Sequence, residues 1–249
     1  MAAKKFDRTG KRNRFNKARA AESWYNSQLR AVAKQVKTLV KGMVATGQID
    51  ADKLRDALKA YAVMIKPWAV SVATYMVADV GRRNLKQWRE LSREIGTGLR
   101  AEIESAPTGA LLHQLMEENV HLITSLPSEA ADKVHEMIID NLSKGVRSST
   151  FIPKLLEMGD ITEARARTIA RTETARAANG LTRVRAAHAG SEGYIWRTSK
   201  DGDVRESHKE MEGAYVRWDT VPTLSDGTKT HAGEIYNCRC FAEPIFPEN

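Results

Sequence analysis

From Glu22 onward the apolar residues Trp24, Leu29, Val32, Val36, Leu39, Val40 and Met43 recur at three- and four-residue steps. That period lays them along one face of an α-helix, which Gly47 is placed to end. Asp50 can cap a second helix through Lys66. Pro67 suits the first turn of a third, long helix running to about Glu104, where its missing N–H would have had no partner anyway. Thr108 and Ser128 then open two more, with apolar positions at Leu111, Leu112, Leu115, Val120 and Ile123 in one and at Val134, Ile138, Ile139 and Leu142 in the other. A short segment at 151–158 precedes Gly159.

The pattern changes after Gly159. Asp160 and Glu163 have the spacing of a capping box, from which a helix of about 28 residues should run to Gly190. Strand-like pieces follow at 194–198, 215–218 and 238–242, separated by Gly and Asp turns. The expected class is therefore α+β: a mostly helical N-terminal body over 22–159, a small α+β C-terminal module over 160–249, and a basic arm over 1–21 in front. The most apolar stretch, 68–78, is about eleven residues long, short of the roughly twenty that span a bilayer. It reads as a buried helix, and no membrane partner is expected. The charged N-terminus is not followed by an apolar segment, so it does not read as a secretory signal, and synthesis in a bacterial cytoplasm is expected.

Charge alters the picture at one place. The chain carries a formal net charge of +8, and the first twenty residues hold Lys4, Lys5, Arg8, Lys11, Arg12, Arg14, Lys17 and Arg19 against Asp7 alone. With Phe6 and Phe15 interleaved, such an arm can neutralise DNA phosphates and stack on bases without reading sequence. A solvated tail or an arm docked on a protein surface accounts for the composition equally well.

Two features carry candidate chemistry. On the helix after Gly159, Ala166, Ala170, Glu173, Ala177, Leu181 and Val184 share one face, so Glu173 sits on the stripe that faces the core. A buried carboxylate needs a partner, and Arg205 and Arg239 are the candidates for a structural ion pair. The second feature is Asp201, Asp203 and His208 followed by His231 and by Cys238-Arg239-Cys240. With two cysteines in the whole chain, no disulfide framework is available. His208, Cys238 and Cys240 can take zinc, with a fourth ligand from Asp201, Asp203 or His231. A tetrahedral zinc needs sulfurs about 3.8 Å apart, whereas residues i and i+2 of a strand have Cα atoms roughly 6.6 Å apart. C-x-C therefore chelates only where the backbone turns. On a true strand both thiols would instead pack on one face as small apolar groups.

Three stretches together resemble a known family. The helix reads ITEARARTIARTETARAAN with an Arg171-Thr172-Glu173 step; the run from Trp196 through Asp201, Asp203, Arg205 and His208 continues to Met211 and Gly213; and His231 opens a segment that closes on Asn237-Cys238-Arg239-Cys240. In order and spacing these are similar to the phage Mu F-like head-morphogenesis domain, a family of minor capsid proteins, and they cover about a third of the chain. Asp203 stands where the family commonly has Arg, which adds a negative charge beside any metal or ion-pair site. Gly233 lacks the preceding Pro common in the family, which leaves that loop less rigid.

The resemblance implies a virion protein inside the phage head, associated with the portal and other capsid proteins, structural and not an enzyme. Binding of double-stranded DNA through the arm is an added expectation of the residues themselves. Read without the resemblance, the residues leave two rivals open: a metal-dependent, nuclease-like hydrolase built on Asp201, Asp203, His208 and the thiolates, and a nonspecific DNA-binding protein. No cofactor is required on the favoured reading, with zinc the one candidate.

Overall fold

The computed structural model describes residues 18–45, 49–95, 101, 103–200 and 202–246. Of the arm cations, Arg19 alone falls among them, exposed in the first turn of the first helix; Lys4, Lys5, Arg8, Lys11, Arg12, Arg14 and Lys17 lie outside the described residues, as does Asp201. The elements are α1 (Arg19–Ala45), α2 (Ala51–Met64), α3 (Lys66–Ile95), α4 (Gly109–Ser143), α5 (Ser148–Leu156), α6 (Met158–His188), β1 (Gly193–Arg197), α7 (Glu206–Glu210), β2 (Tyr215–Arg217) and β3 (Phe241–Ile245). The chain is α+β, helical over most of its described length. Among the described residues no single helix is long and apolar enough to cross a membrane.

Contacts divide the chain into two compact units. One gathers the described residues up to Glu22, those of 76–115 and those from Arg171 onward; the other holds residues 23–75 and 116–170. The second unit is a helix-on-helix core. The predicted face of α1 supplies Val36 and Val40, α2 supplies Leu54 and Leu58, α4 supplies Ala131, Val134 and Ile138, and α5 supplies Phe151 and Leu155, all buried. Asp50 caps α2 as expected, its side chain accepting from the Lys53 N–H at 3.0 Å.

Three local expectations are corrected in this unit. Ser128 does not open a new helix, because α4 runs through Pro127 without a break. A proline costs the helix one N–H bond and crowds the carbonyl four residues back. Here Ile123 and Leu126 on one side and Ala130 and Val134 on the other are all buried, and packing on both flanks outweighs the local loss. Ile139 and Leu142 point outward, at 46% and 48% exposure, so they are not part of the core. The Asp160–Glu163 box does not form either, since α6 already begins at Met158. Asp160 instead pairs with Lys37 at 2.7 Å and Glu163 with Arg30 at 2.8 Å.

The first unit holds the sheet. Gly190, at φ +83°, ends α6 where the sequence places the stop. The Ser191 N–H donates to the Ala186 carbonyl and the Gly190 N–H to the Ala187 carbonyl, the paired bonds of a Schellman turn. The chain then enters β1, which is rich in aromatic and β-branched residues. β1 is the central strand of an antiparallel sheet in the order β2-β1-β3, with Tyr194 opposite Val216 and Trp196 opposite Ala242. Trp88, Tyr194, Trp196, Trp218 and Phe246 dominate the core beside this sheet, with Cys238 and Cys240 among them.

Candidate metal centre

His208 lies on α7, a single turn that follows Arg205 in extended conformation. Ser207 anchors this turn by donating to Asp226 at 2.8 Å. The imidazole is buried and meets Trp196 edge-on, ring centroids 5.5 Å apart. Its Nδ1 is 3.4 Å from the sulfurs of both Cys238 and Cys240. The three donor atoms lie within 4.8 Å of one another, and all three residues are buried.

The two cysteines are not on a strand. β3 begins at Phe241, three residues later than the predicted 238–242. Asn237 adopts a left-handed φ of +57°, which Asn tolerates better than most residues. The Cys238 N–H closes a turn on the Ile235 carbonyl at 3.1 Å, and the Cys240 N–H donates to the Cys238 sulfur at 3.3 Å. The backbone therefore turns at this C-x-C, the condition that chelation demands and a pleated strand denies.

Side chains from α6 set that turn. Thr172 Oγ1 accepts from the Asn237 N–H at 2.9 Å, and Arg171 donates to Asn237 Oδ1 at 3.0 Å. Asn179 accepts from the Ala242 N–H at 3.0 Å and donates to the Cys240 carbonyl at 3.3 Å. Thr172, Asn179 and Asn237 were not singled out from the sequence as site residues. The available signal was the Arg171-Thr172-Glu173 step and the Asn before Cys238; the structure joins these two stretches of the resemblance in one turn.

The other predicted residues are distributed as follows. Glu173 is buried as its stripe requires, but its partner is Arg176, one turn along the same helix, which reaches both carboxylate oxygens at 3.0 and 3.1 Å. The expected partners are engaged elsewhere: Arg205 donates to the Tyr236 carbonyl at 3.0 Å and Arg239 to Asp203 at 3.1 Å. A cation on the same helix reaches the carboxylate without ordering a second segment, which is why it prevails over those on loops. Asp203 is highly exposed, and among the described residues no fourth His, Cys, Asp or Glu joins the three. His231 faces Tyr194, its Nδ1 3.1 Å from the phenol oxygen.

The electrostatics are those of a buried site. The hydrogen bond with Cys240 holds the Cys238 thiol well below the ordinary thiol range, burial opposing and His208 adding to it. The same contact, together with burial, pushes Cys240 up. Burial raises Tyr194 and lowers His231. For His231 the sign follows directly. An unfolded histidine near its ordinary value of about 6.5 takes up a proton before the buried one does, so stability falls as pH drops through that value and levels off below the depressed folded one. Urea midpoints measured from pH 8 to pH 5 should show this fall in the native chain and a shallower one in His231→Gln; equal slopes would remove His231 as its source.

A mostly helical protein whose small antiparallel sheet closes over a buried His-Cys-Cys cluster is the class these features define. Residues 132–243 match the model of the family described as phage Mu protein F like protein, so this stretch of the chain is similar to that family. An uncharacterized protein of Haemophilus influenzae is 27% identical over 248 residues, covering 93% of this chain and 55% of that protein. The chain thus spans about half the length of the curated relative it matches. No solved structure matches it significantly.

Proposed function

We propose that the protein is a structural, non-enzymatic head-morphogenesis protein of a bacteriophage, a minor capsid component made in the host cytoplasm and carried in the virion. The single observation behind this is the family match over residues 132–243, reinforced by the way Arg171 and Thr172 hold Asn237 at the foot of the Asn-Cys-Arg-Cys turn. Within that reading the working division is an arm over 1–21, a helical body over 22–159 and a module over 160–249. The body docks on the portal or on other capsid proteins, and the arm meets packaged double-stranded DNA.

The test is a phage carrying a stop codon in the gene. Heads assembled without the protein should be malformed or should fail to deliver DNA, and mass spectrometry of normal virions should find a few copies in each. Absence from purified heads and proheads, with normal infectivity of the mutant, would overturn the reading. The arm has its own test. Binding of the full chain to duplex DNA should weaken with salt at a slope of roughly −0.9 per phosphate neutralised, and a chain lacking residues 1–18 should lose most of both affinity and slope. Undiminished binding would take DNA away from the arm.

A further inference from the structure

We propose that His208 Nδ1 and the sulfurs of Cys238 and Cys240 hold one zinc ion, with its fourth position occupied by water. The inference goes beyond the head-protein reading and does not depend on it. Three observations carry it together. First, the spacing fits: zinc with Zn–N and Zn–S bonds of normal length in a tetrahedron places nitrogen and sulfur about 3.6 Å apart, and Nδ1 stands 3.4 Å from each sulfur. Second, the backbone is already shaped to chelate. The left-handed Asn237 turns the chain, and Thr172, Arg171 and Asn179 hold that turn from α6. The Cys240 N–H bond to the Cys238 sulfur is the kind of outer bond that steadies a metal thiolate.

Third, the three groups are buried together. His208, Cys238 and Cys240 are 2%, 3% and 3% exposed, and they face one another inside an aromatic wall. Two thiol groups and an imidazole are an indifferent way to fill a core and a good way to bind a borderline-soft cation. The donor set selects zinc over magnesium or calcium, which take oxygen ligands. Among the described residues no further His, Cys, Asp or Glu joins the three, and the fourth position is assigned to water. A narrow opening of about 20 Å3, lined by Ser199, Asp203, Val204 and Asn237, reaches the cluster, and that is room for about one water. Asp203 stays on Arg239, and His231 stays on Tyr194. The ion would tie α7 to the turn before β3, two segments thirty residues apart, so metal binding would be part of the folding of this sheet.

The experiment begins with elemental analysis of the full chain purified from zinc-supplemented cells. About one zinc per chain is expected, none in Cys238→Ser/Cys240→Ser, and an undiminished content in Asp203→Asn. Chelation should lower the melting temperature by on the order of 10 °C, restored by zinc. Because the double variant can fail to fold, the native chain stripped of metal and given cobalt supplies a second readout. A thiolate-to-cobalt charge-transfer band, abolished by added zinc, supports the site. Folded native protein that contains no metal, gives no cobalt band and lets both thiols be alkylated without unfolding would overturn it. Loss of zinc in Asp203→Asn would overturn the water-filled fourth position.

Discussion

Gly233→Ala is expected to destabilise the protein by about 3–5 kcal/mol, the sum of an overpacked contact and a strained backbone. Gly233 sits at φ +75°, and an added Cβ would lie 2.0 Å from Asn179 Nδ2 and 2.6 Å from the Cys240 carbonyl oxygen. Neither neighbour can yield cheaply. Asn179 holds the Ala242 N–H and the Cys240 carbonyl at once, so displacing it leaves buried backbone groups without partners. The loss should appear as a lower urea midpoint and as increased reactivity of Cys238 and Cys240 in the folded protein. Gly227→Ala is the control: its φ of +81° is equally left-handed, but nothing lies within 4 Å of the new Cβ. It should cost only about 1 kcal/mol of backbone strain. Equal midpoints for the two variants would show that the Asn179 contact carries no weight.

Trp196→Ala should cost a similar amount, about 3–5 kcal/mol, through the cavity it opens. The side chain is fully buried on the central strand, opposite Ala242, with its ring against His208. Its loss removes the wall that keeps the imidazole in place, so native-state labelling of Cys238 and Cys240 should accelerate along with the fall in stability. Trp196→Phe keeps most of the apolar volume and should recover more than half of the loss. A Trp196→Ala protein with the midpoint of the native chain would show that the sheet core closes without this residue.

The helices were legible because the signals behind them are local. The stripe Leu29, Val32, Val36 and Val40 is buried as a period of 3.6 demands, the Asp50 side chain caps α2, and Gly190 terminates α6. Where local signals competed with packing, packing prevailed. Ser128 reads as a helix start, yet α4 continues through it and through Pro127 with apolar residues buried on both sides. Asp160 has the composition of a cap but serves as Lys37's ion-pair partner inside the helix.

The candidate site divides along the same line. The residue types and their order along the chain, His208 with Cys238 and Cys240, were enough to nominate a thiol-imidazole cluster and to draw the resemblance to the phage Mu F-like family. Their spacing alone could not say whether the C-x-C was a pleated strand or a chelating turn. That choice rests on Asn237's left-handed backbone and on Thr172 and Asn179 reaching across from a helix more than sixty residues earlier. Glu173 illustrates the same limit. Its burial follows from helical period, whereas its pairing with Arg176, one turn along the same helix, is read from the structure.

The sequence by itself determined most of the helical segments, the burial of Glu173 and the identity of the three clustered donors, because periodicity and residue chemistry act over one or two turns of chain. Only the tertiary structure decided that the cysteines precede the strand, that α6 clamps their turn and that the donors meet at 3.4 Å. Those outcomes depend on contacts between segments far apart in the chain, where several partners compete and the geometry of the packed core selects one.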